Sequence, residues 1–507
     1  MRFFLPLALA LWATTAPAQT PQPAQSFLAQ NGLEKTIAQL AADPAANSFE
    51  TGMLLTLRAL EKTLQTRYEY GLGDSLSQMP LFRLDFGEMK NPAPAKSNPA
   101  TLTAIMNGFV GDMGKARAAL EMAQSEGINP FEMTLQDIWF DINSNGTQDA
   151  AENAFTLLGP VVLGRRAYRE LQKSDTPIPP ITIRFDAADQ AWLMAYTHML
   201  SGFGNLFMAF DPEPVLRNLY EQRASLAEAP VIPNIYDPVV VNKEIAALKA
   251  EADALKSQME SVWQRLDTIN TQRNALRAEI KAAEDEAQKA TLQAALDKLM
   301  AERQEISTKQ RSLSQEQRLV GDEIHAAKMK LPHSPDFRSN PRRDRDLKWL
   351  DPIYVAIESL AQTPDPARIR AAHADLLAMI QHNRTFWDRL ADETDNEREW
   401  IPNATQQSAM PFDIPPRLAE GWQAILKDVE DMLNGNLLIH HPLLPEGYGI
   451  SVPAYVANPS SLDLIGWIHG VAAYRYAAKG PRLTDQSWQA FRRLTGGNAG
   501  GFALFLN

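Results

Sequence analysis

The chain has 507 residues, no cysteine, 45% hydrophobic residues and a formal net charge of −12 at pH 7. That length carries two or three domains' worth of core, and the missing cysteines exclude disulfides and a lipid-modified amino-terminal cysteine. The acidic balance speaks against nucleic acid, whose phosphates demand clustered Lys and Arg, and against an anionic membrane surface as main partner.

Arg2 followed by the apolar run Phe3–Trp12 and by Ala16-Pro17-Ala18 predicts a signal peptide over residues 1–18, cleaved after Ala18. Such a run is too short to cross a bilayer, where about 20 apolar residues are needed. No other stretch approaches that length, so the expectation is a mature chain without a transmembrane segment, periplasmic or secreted. A cysteine-free exported chain of this size suits a bacterial periplasm.

After Ser48, the residues Phe49, Met53, Leu57, Leu60, Leu64 and Tyr68 keep the three-to-four spacing of a buried helical stripe, with Gly71 placed to end it. Phe82, Leu84 and Phe86 then alternate with Arg83 and Asp85, as in a half-buried strand. A Pro-rich connector leads to a helix carrying Leu102, Ile105, Phe109, Met113 and Leu120, stopped by Gly127. Thr134 is expected to cap a short segment, Leu135–Phe140.

The twelve residues Asp141–Glu152 follow, and here residue type and spacing together specify a chemistry. Asp141, Asn143, Asn145 and Asp149 place side-chain oxygens at positions one, three, five and nine; Gly146 is at six and Glu152 at twelve. A hard cation taking six to eight oxygens is served by that order. Over these residues the chain resembles an EF-hand calcium loop. The resemblance implies Ca2+ held by Asp141, Asn143, Asn145, the Thr147 carbonyl, Asp149 and a bidentate Glu152. Gln148 occupies the position where paired loops carry an aliphatic residue, and no second such loop occurs. A structural ion is therefore expected, with weak affinity of roughly 10⁻⁴ to 10⁻³ M. The competing reading is an Asn-Gly turn that binds nothing.

Beyond the loop a helix is expected through Phe155 and Leu158, resuming from Val161 to Leu171 after Gly159-Pro160. Ile181, Ile183 and Phe185 alternate as a strand, expected to pair with Phe82–Phe86. Asp186 reads as the cap of an apolar helix through Phe210, in which Gly202 and Gly204 suggest the close approach of another backbone. His198 on that helix reads as a hydrogen-bonded core residue.

Residues 241–328 contain no proline and a single glycine, Gly321. Ile245, Leu248, Ala252, Leu255, Met259, Val262, Leu266 and their successors follow alternating steps of three and four, the seam of a coiled coil. The phase breaks over Ala283–Ala290. That break favours an antiparallel hairpin turning near residues 284–291 over one continuous helix. Arg338–Asp346 reads as a solvated linker. The acids Asp392, Glu393, Asp395, Glu397 and Glu399 read as a solvated helix end or a second weak cation site. Leu462–Tyr476 is expected to be helical, His440-His441 makes a poor metal site, and the apolar tail Gly500–Leu506 should dock onto the body.

Together these features predict a mainly α fold. A helical body, residues 19–235 and 340–507, is interrupted by the coiled-coil insertion 241–328, with at most a small two-stranded sheet. No HExxH, CxxC, GxSxG or phosphate loop is present. The expected function is an exported, non-enzymatic calcium-binding protein whose coiled coil serves protein interaction or spacing. The alternative is an exported hydrolase or small-molecule-binding protein with a site assembled from distant residues, in a pocket lined by Trp192, Tyr196, Trp400 or Trp467.

Overall fold

The computed structural model describes residues 24–72, 89–126, 128–162, 168, 180–228, 236–331, 341–394, 398–403, 405–409, 417–495 and 499–506. The expected signal peptide and the expected strand Phe82–Phe86 lie outside the described residues, as does most of the expected helix after Val162. Two compact units emerge: Met1–Glu221 with Asp351–Asn507, and Gln222–Leu350.

The larger unit is helical. Helices α1 (Ala24–Leu40), α2 (Ser48–Glu69) and α3 (Thr101–Glu126) precede strand β1 (Phe131–Thr134) and a 3-10 turn, Leu135–Asp137. After the loop 141–152 come α4 (Ala154–Val162), β2 (Thr182–Phe185) and α5 (Ala187–Ala209), then α6 (Glu213–Glu228), which runs on into the second unit. Leu54, Leu120, Phe140 and Leu193 share one core with Phe386 and Phe491 from the far side of the insertion. Chain on both sides of the second unit therefore builds a single hydrophobic body.

Helix α5 starts as its sequence directs. The Asp186 carboxylate accepts the Ala188 N–H at 2.9 Å, satisfying an amide the helix itself leaves unpaired. The glycines of α5 do mark close approach, to side chains of two neighbouring helices. A Cβ on Gly204 would stand 2.5 Å from Val110 Cγ2 of α3, and one on Gly202 3.2 Å from Leu376 of α10 (Pro366–Asp392). His198 is hydrogen-bonded as expected, Nδ1 lying 2.8 Å from Asp375 Oδ1, with its ring stacked on His382.

Strand β2 is present and, among the described residues, pairs with β1, antiparallel, with Phe131 opposite Phe185 and Thr134 opposite Thr182. Thr134 is thus the last strand residue and not a side-chain cap. Its hydroxyl bonds that of Thr182 at 2.8 Å. A second two-stranded sheet, β3 (Tyr448–Ile450) with β4 (Ala477–Lys479), lies in the C-terminal part.

Helix α9 (Pro341–Ala361) takes in most of the expected linker. Pro341 is its first residue, where a missing N–H costs nothing. α11 spans Leu418–Leu433 and α12 Val452–Ala457. The expected helix Leu462–Tyr476 is broken: α13 covers only Leu464–His469 and ends at Gly470, whose φ of 88° is open to glycine at little cost. α14 (Gln486–Leu494) and α15 (Ala499–Leu506) complete the body. The tail docks: Leu506 is buried, and its carbonyl accepts Asn383 Nδ2 at 2.6 Å.

The second unit contains an antiparallel helical hairpin, α7 (Pro238–Ala282) and α8 (Glu286–Lys330), each of 45 residues and so about 68 Å long at 1.5 Å per residue. Leu255, Met259, Val262 and Leu266 of α7 meet Leu313 and Val320 of α8 in the expected seam. Arg265 pairs with Glu302 and Lys330 with Glu244, fixing the antiparallel sense. The turn uses neither glycine nor proline. Ala283 is extended (φ −71°, ψ 133°), and Asp285 caps α8 by accepting from the N–H groups of Ala287 and Gln288.

A candidate calcium loop and the acids around it

Locally, the loop 141–152 closes on itself. Its base is a bridge between Trp139 and Asn153, with Phe140 N–H donating to the Glu152 carbonyl and Ala154 N–H to that of Ile138, both at 2.9 Å. Trp139, Phe140 and Ile142 are buried, so the base is held by core packing. The Trp139 indole donates to the Ala29 carbonyl and lies against Gly32, where α1 kinks with φ of 75°.

The six residues singled out by spacing are ordered by backbone donors. Asp141 accepts the N–H of Asn145 through Oδ1 at 2.9 Å and that of Gly146 through Oδ2 at 3.0 Å. Asn143 Oδ1 also receives the Asn145 N–H, and its amide donates to Asp149 Oδ2 at 2.9 Å. Asn145 Oδ1 accepts both the N–H and the hydroxyl of Thr147. Gly146 has φ of 74°, the left-handed turn for which the pattern reserves a glycine.

Glu152 is fully buried and reaches back across the loop. Its Oε1 accepts from the N–H of Ile142 at 2.8 Å and its Oε2 from that of Asp149 at 2.9 Å. Burial pushes its pKa up. Three backbone N–H donors oppose that, and the Asp141 charge adds to it. A carboxylate oxygen has more than one lone pair, so these bonds leave capacity for a cation.

Helix α2 supplies two residues that spacing did not reveal. Glu61 accepts the Asp141 N–H at 2.7 Å while paired to Arg58 at 2.6 Å, and Gln65 Nε2 donates to the Asp141 carbonyl at 2.7 Å. Glu61 is buried and its pKa is raised, chiefly by desolvation. A glutamate interrupting the apolar stripe of α2, beside Leu60 and Leu64, was the only signal available.

Entry to the loop is a strand and one 3-10 turn, so the long incoming helix of an EF-hand is missing here. The loop's acids are also not the tightest set. Among the described residues, the trio whose ligating oxygens all lie within 4.8 Å of one another is Asp186, Glu393 and Glu399. Glu399 is buried, contrary to a solvated helix end. Desolvation, then the charges of Asp186 and Glu399, raise Glu393 to about 7, against a hydrogen bond from Gln406. Asp189, buried beside them, is raised well above the usual carboxylate range by the same desolvation. Asp395 and Glu397 lie outside the described residues.

Of the aromatic residues considered for a pocket, Trp192, Tyr196 and Trp400 come together: Trp192 stacks on Tyr196 at 5.2 Å and meets Trp400 edge-on at 5.6 Å. Trp467 is elsewhere, stacked on Tyr476. His441 serves structure, with Nε2 against the Trp467 carbonyl at 2.8 Å. No protein-family model matches the chain, and neither a curated protein nor a solved structure matches it.

Proposed function

We propose that this is an exported calcium-binding helical protein in which the ion is a staple, and in which the helical hairpin serves interaction or spacing. The observation that carries the calcium reading is the closed loop itself. Glu152, at position twelve, folds back onto the N–H of residue two, while Asp141, at position one, gathers the amides of residues five and six. Asp141, Asn143, Asn145, Thr147, Asp149 and Glu152 then offer only oxygen, the donor set of a hard divalent cation. Compensating two like-charged acids, one of them desolvated, is what such an ion would do. The core packing at both ends of the loop favours a structural role over a switch.

For the hairpin, Trp263 and Leu319 are 56% and 55% exposed on helices whose seam is already filled by other residues. Large apolar side chains left over on a coiled coil suit recruitment of another helix.

Thermal melts in millimolar calcium and in chelator test the ion. With a dissociation constant near 10⁻⁴ to 10⁻³ M, about 10 mM calcium should add roughly 1.4 to 2.7 kcal/mol of stability. Asp141→Ala should abolish the difference. An unchanged melt together with no calorimetric binding up to several millimolar defeats the reading.

A further inference from the structure

The body contains a partly open cavity of about 190 Å³ between α2, the β1–β2 ribbon, α4 and α5. Its wall is almost wholly apolar. Met53, Leu57 and Leu60 come from α2, Phe155 and Leu158 from α4, and a cluster of aromatic rings closes the other side. Among the described lining residues, two carry a hydroxyl. Thr56 spends its own on the Gly52 carbonyl at 2.9 Å. Tyr196 is stacked on Trp192, and burial raises its pKa.

Water does not suit such a space, because a buried water needs two to four polar partners. A void of ~150 Å³ lined by Leu, Ile and Phe stays dry and takes up benzene, so size and polarity here both select a compact apolar guest. The ring wall narrows the class further. Trp192 stacks on Tyr196 and meets Trp400 in a T-shaped pair, and Phe185 lies 6.4 Å from Trp400. Aromatic pairs favour these stacked and edge-on separations, so an added ring finds partners on several sides. Met53 and Met133 supply unbranched, polarizable walls that adapt to the outline of a guest. Among the described residues, no Lys, Arg, Asp or Glu lines the space, so an ionised group would find no counter-charge on them.

We propose that this cavity is a binding site for a small uncharged aromatic molecule, held by the Trp192–Tyr196–Trp400 wall. The site does not depend on the loop 141–152 holding an ion.

Toluene is the probe and benzoate the charged contrast, both with the full chain. Toluene should raise the melting temperature of the wild type and change its tryptophan fluorescence, while benzoate does neither. Leu158→Trp fills the space from α4 and should weaken toluene binding by at least about tenfold. Thr156→Trp, at an exposed position of the same helix, should leave it unchanged. If Leu158→Trp fails to fold, Leu57→Phe fills the cavity from the opposite helix and is expected to have the same effect. A wild type indifferent to toluene overturns the proposal, and means that the chain's own side chains fill the space. Equal toluene binding by the filled variants overturns it too, because the probe then sits elsewhere, and benzoate binding as well as toluene removes the selectivity.

Discussion

Glu61 of α2 and Asp141, the first residue of the candidate calcium loop, are joined by a 2.7 Å hydrogen bond across 80 residues of chain. The bond runs from the Asp141 amide to a buried carboxylate that also holds Arg58. Position one of the loop is thereby fixed to the helical core. Glu61→Ala should strand that amide and loosen Arg58, at a cost of about 1–3 kcal/mol. Urea denaturation in chelator measures the loss. An unaffected midpoint would mean that water replaces the carboxylate at no cost.

Two glycine-to-alanine changes should have opposite signs. At Gly204 the new methyl would meet Val110 Cγ2 at 2.5 Å. Overpacking of ~1–3 kcal/mol then exceeds the ~1 kcal/mol by which alanine favours a helix. At Gly321, in the hairpin, an added Cβ meets nothing within 4 Å. Gly321→Ala should stabilise α8 by about 0.5–1 kcal/mol. The double variant Val110→Ala with Gly204→Ala should recover part of the first loss, as read from chemical denaturation of both single variants and the pair.

Asp285 is the device that turns the hairpin. Asp285→Ala removes the acceptor of the Ala287 and Gln288 amides and should cost about 1 kcal/mol. Hydrogen exchange in the first turn of α8 should quicken, with the seam around Met259 and Leu313 unchanged. Protection lost evenly along both helices would show instead that the turn controls the whole hairpin.

Stability in chelator should fall as pH rises from about 4.5 to 7. Glu393 has its folded pKa raised to about 7, against an ordinary 4.5. Between those values the folded chain keeps a proton that the unfolded chain has released, so raising the pH favours unfolding. Because Glu393 is only half-buried, solvent screening limits the effect to on the order of 1 kcal/mol. Denaturation at the two ends of the window measures it, and Glu393→Gln should make the slope shallower, whereas an unchanged slope would show that Glu393 does not hold the proton. The slope that remains in that variant belongs to Asp189, Glu61 and Glu152, whose carboxyls burial also raises.

What the sequence determined by itself was local. Helical periodicity placed α2, α3, α5 and the coiled-coil seam, because a stripe at 3.6-residue spacing is written within one element. Asp186 could be read as a cap because a cap and its amide are two residues apart. The hairpin was legible from a phase break. Its turn chemistry was not, since Ala283 and Asp285 adopt extended angles that any residue accepts and leave no glycine or proline to read.

Tertiary structure alone decided what spans long separations. It chose β1 as the partner of β2, and it set Glu61 on the loop and Asp186 beside Glu393 and Glu399. It also gathered Trp192, Tyr196 and Trp400 at one cavity. None of these pairs shares a period or a spacing. Each exists because helices from both sides of the insertion bury their apolar faces in one core, and polar groups carried along must find partners where that packing leaves them. The twelve-residue loop stands between the two cases: its order of oxygens is written in the chain, and its anchorage is supplied by helices α1 and α2.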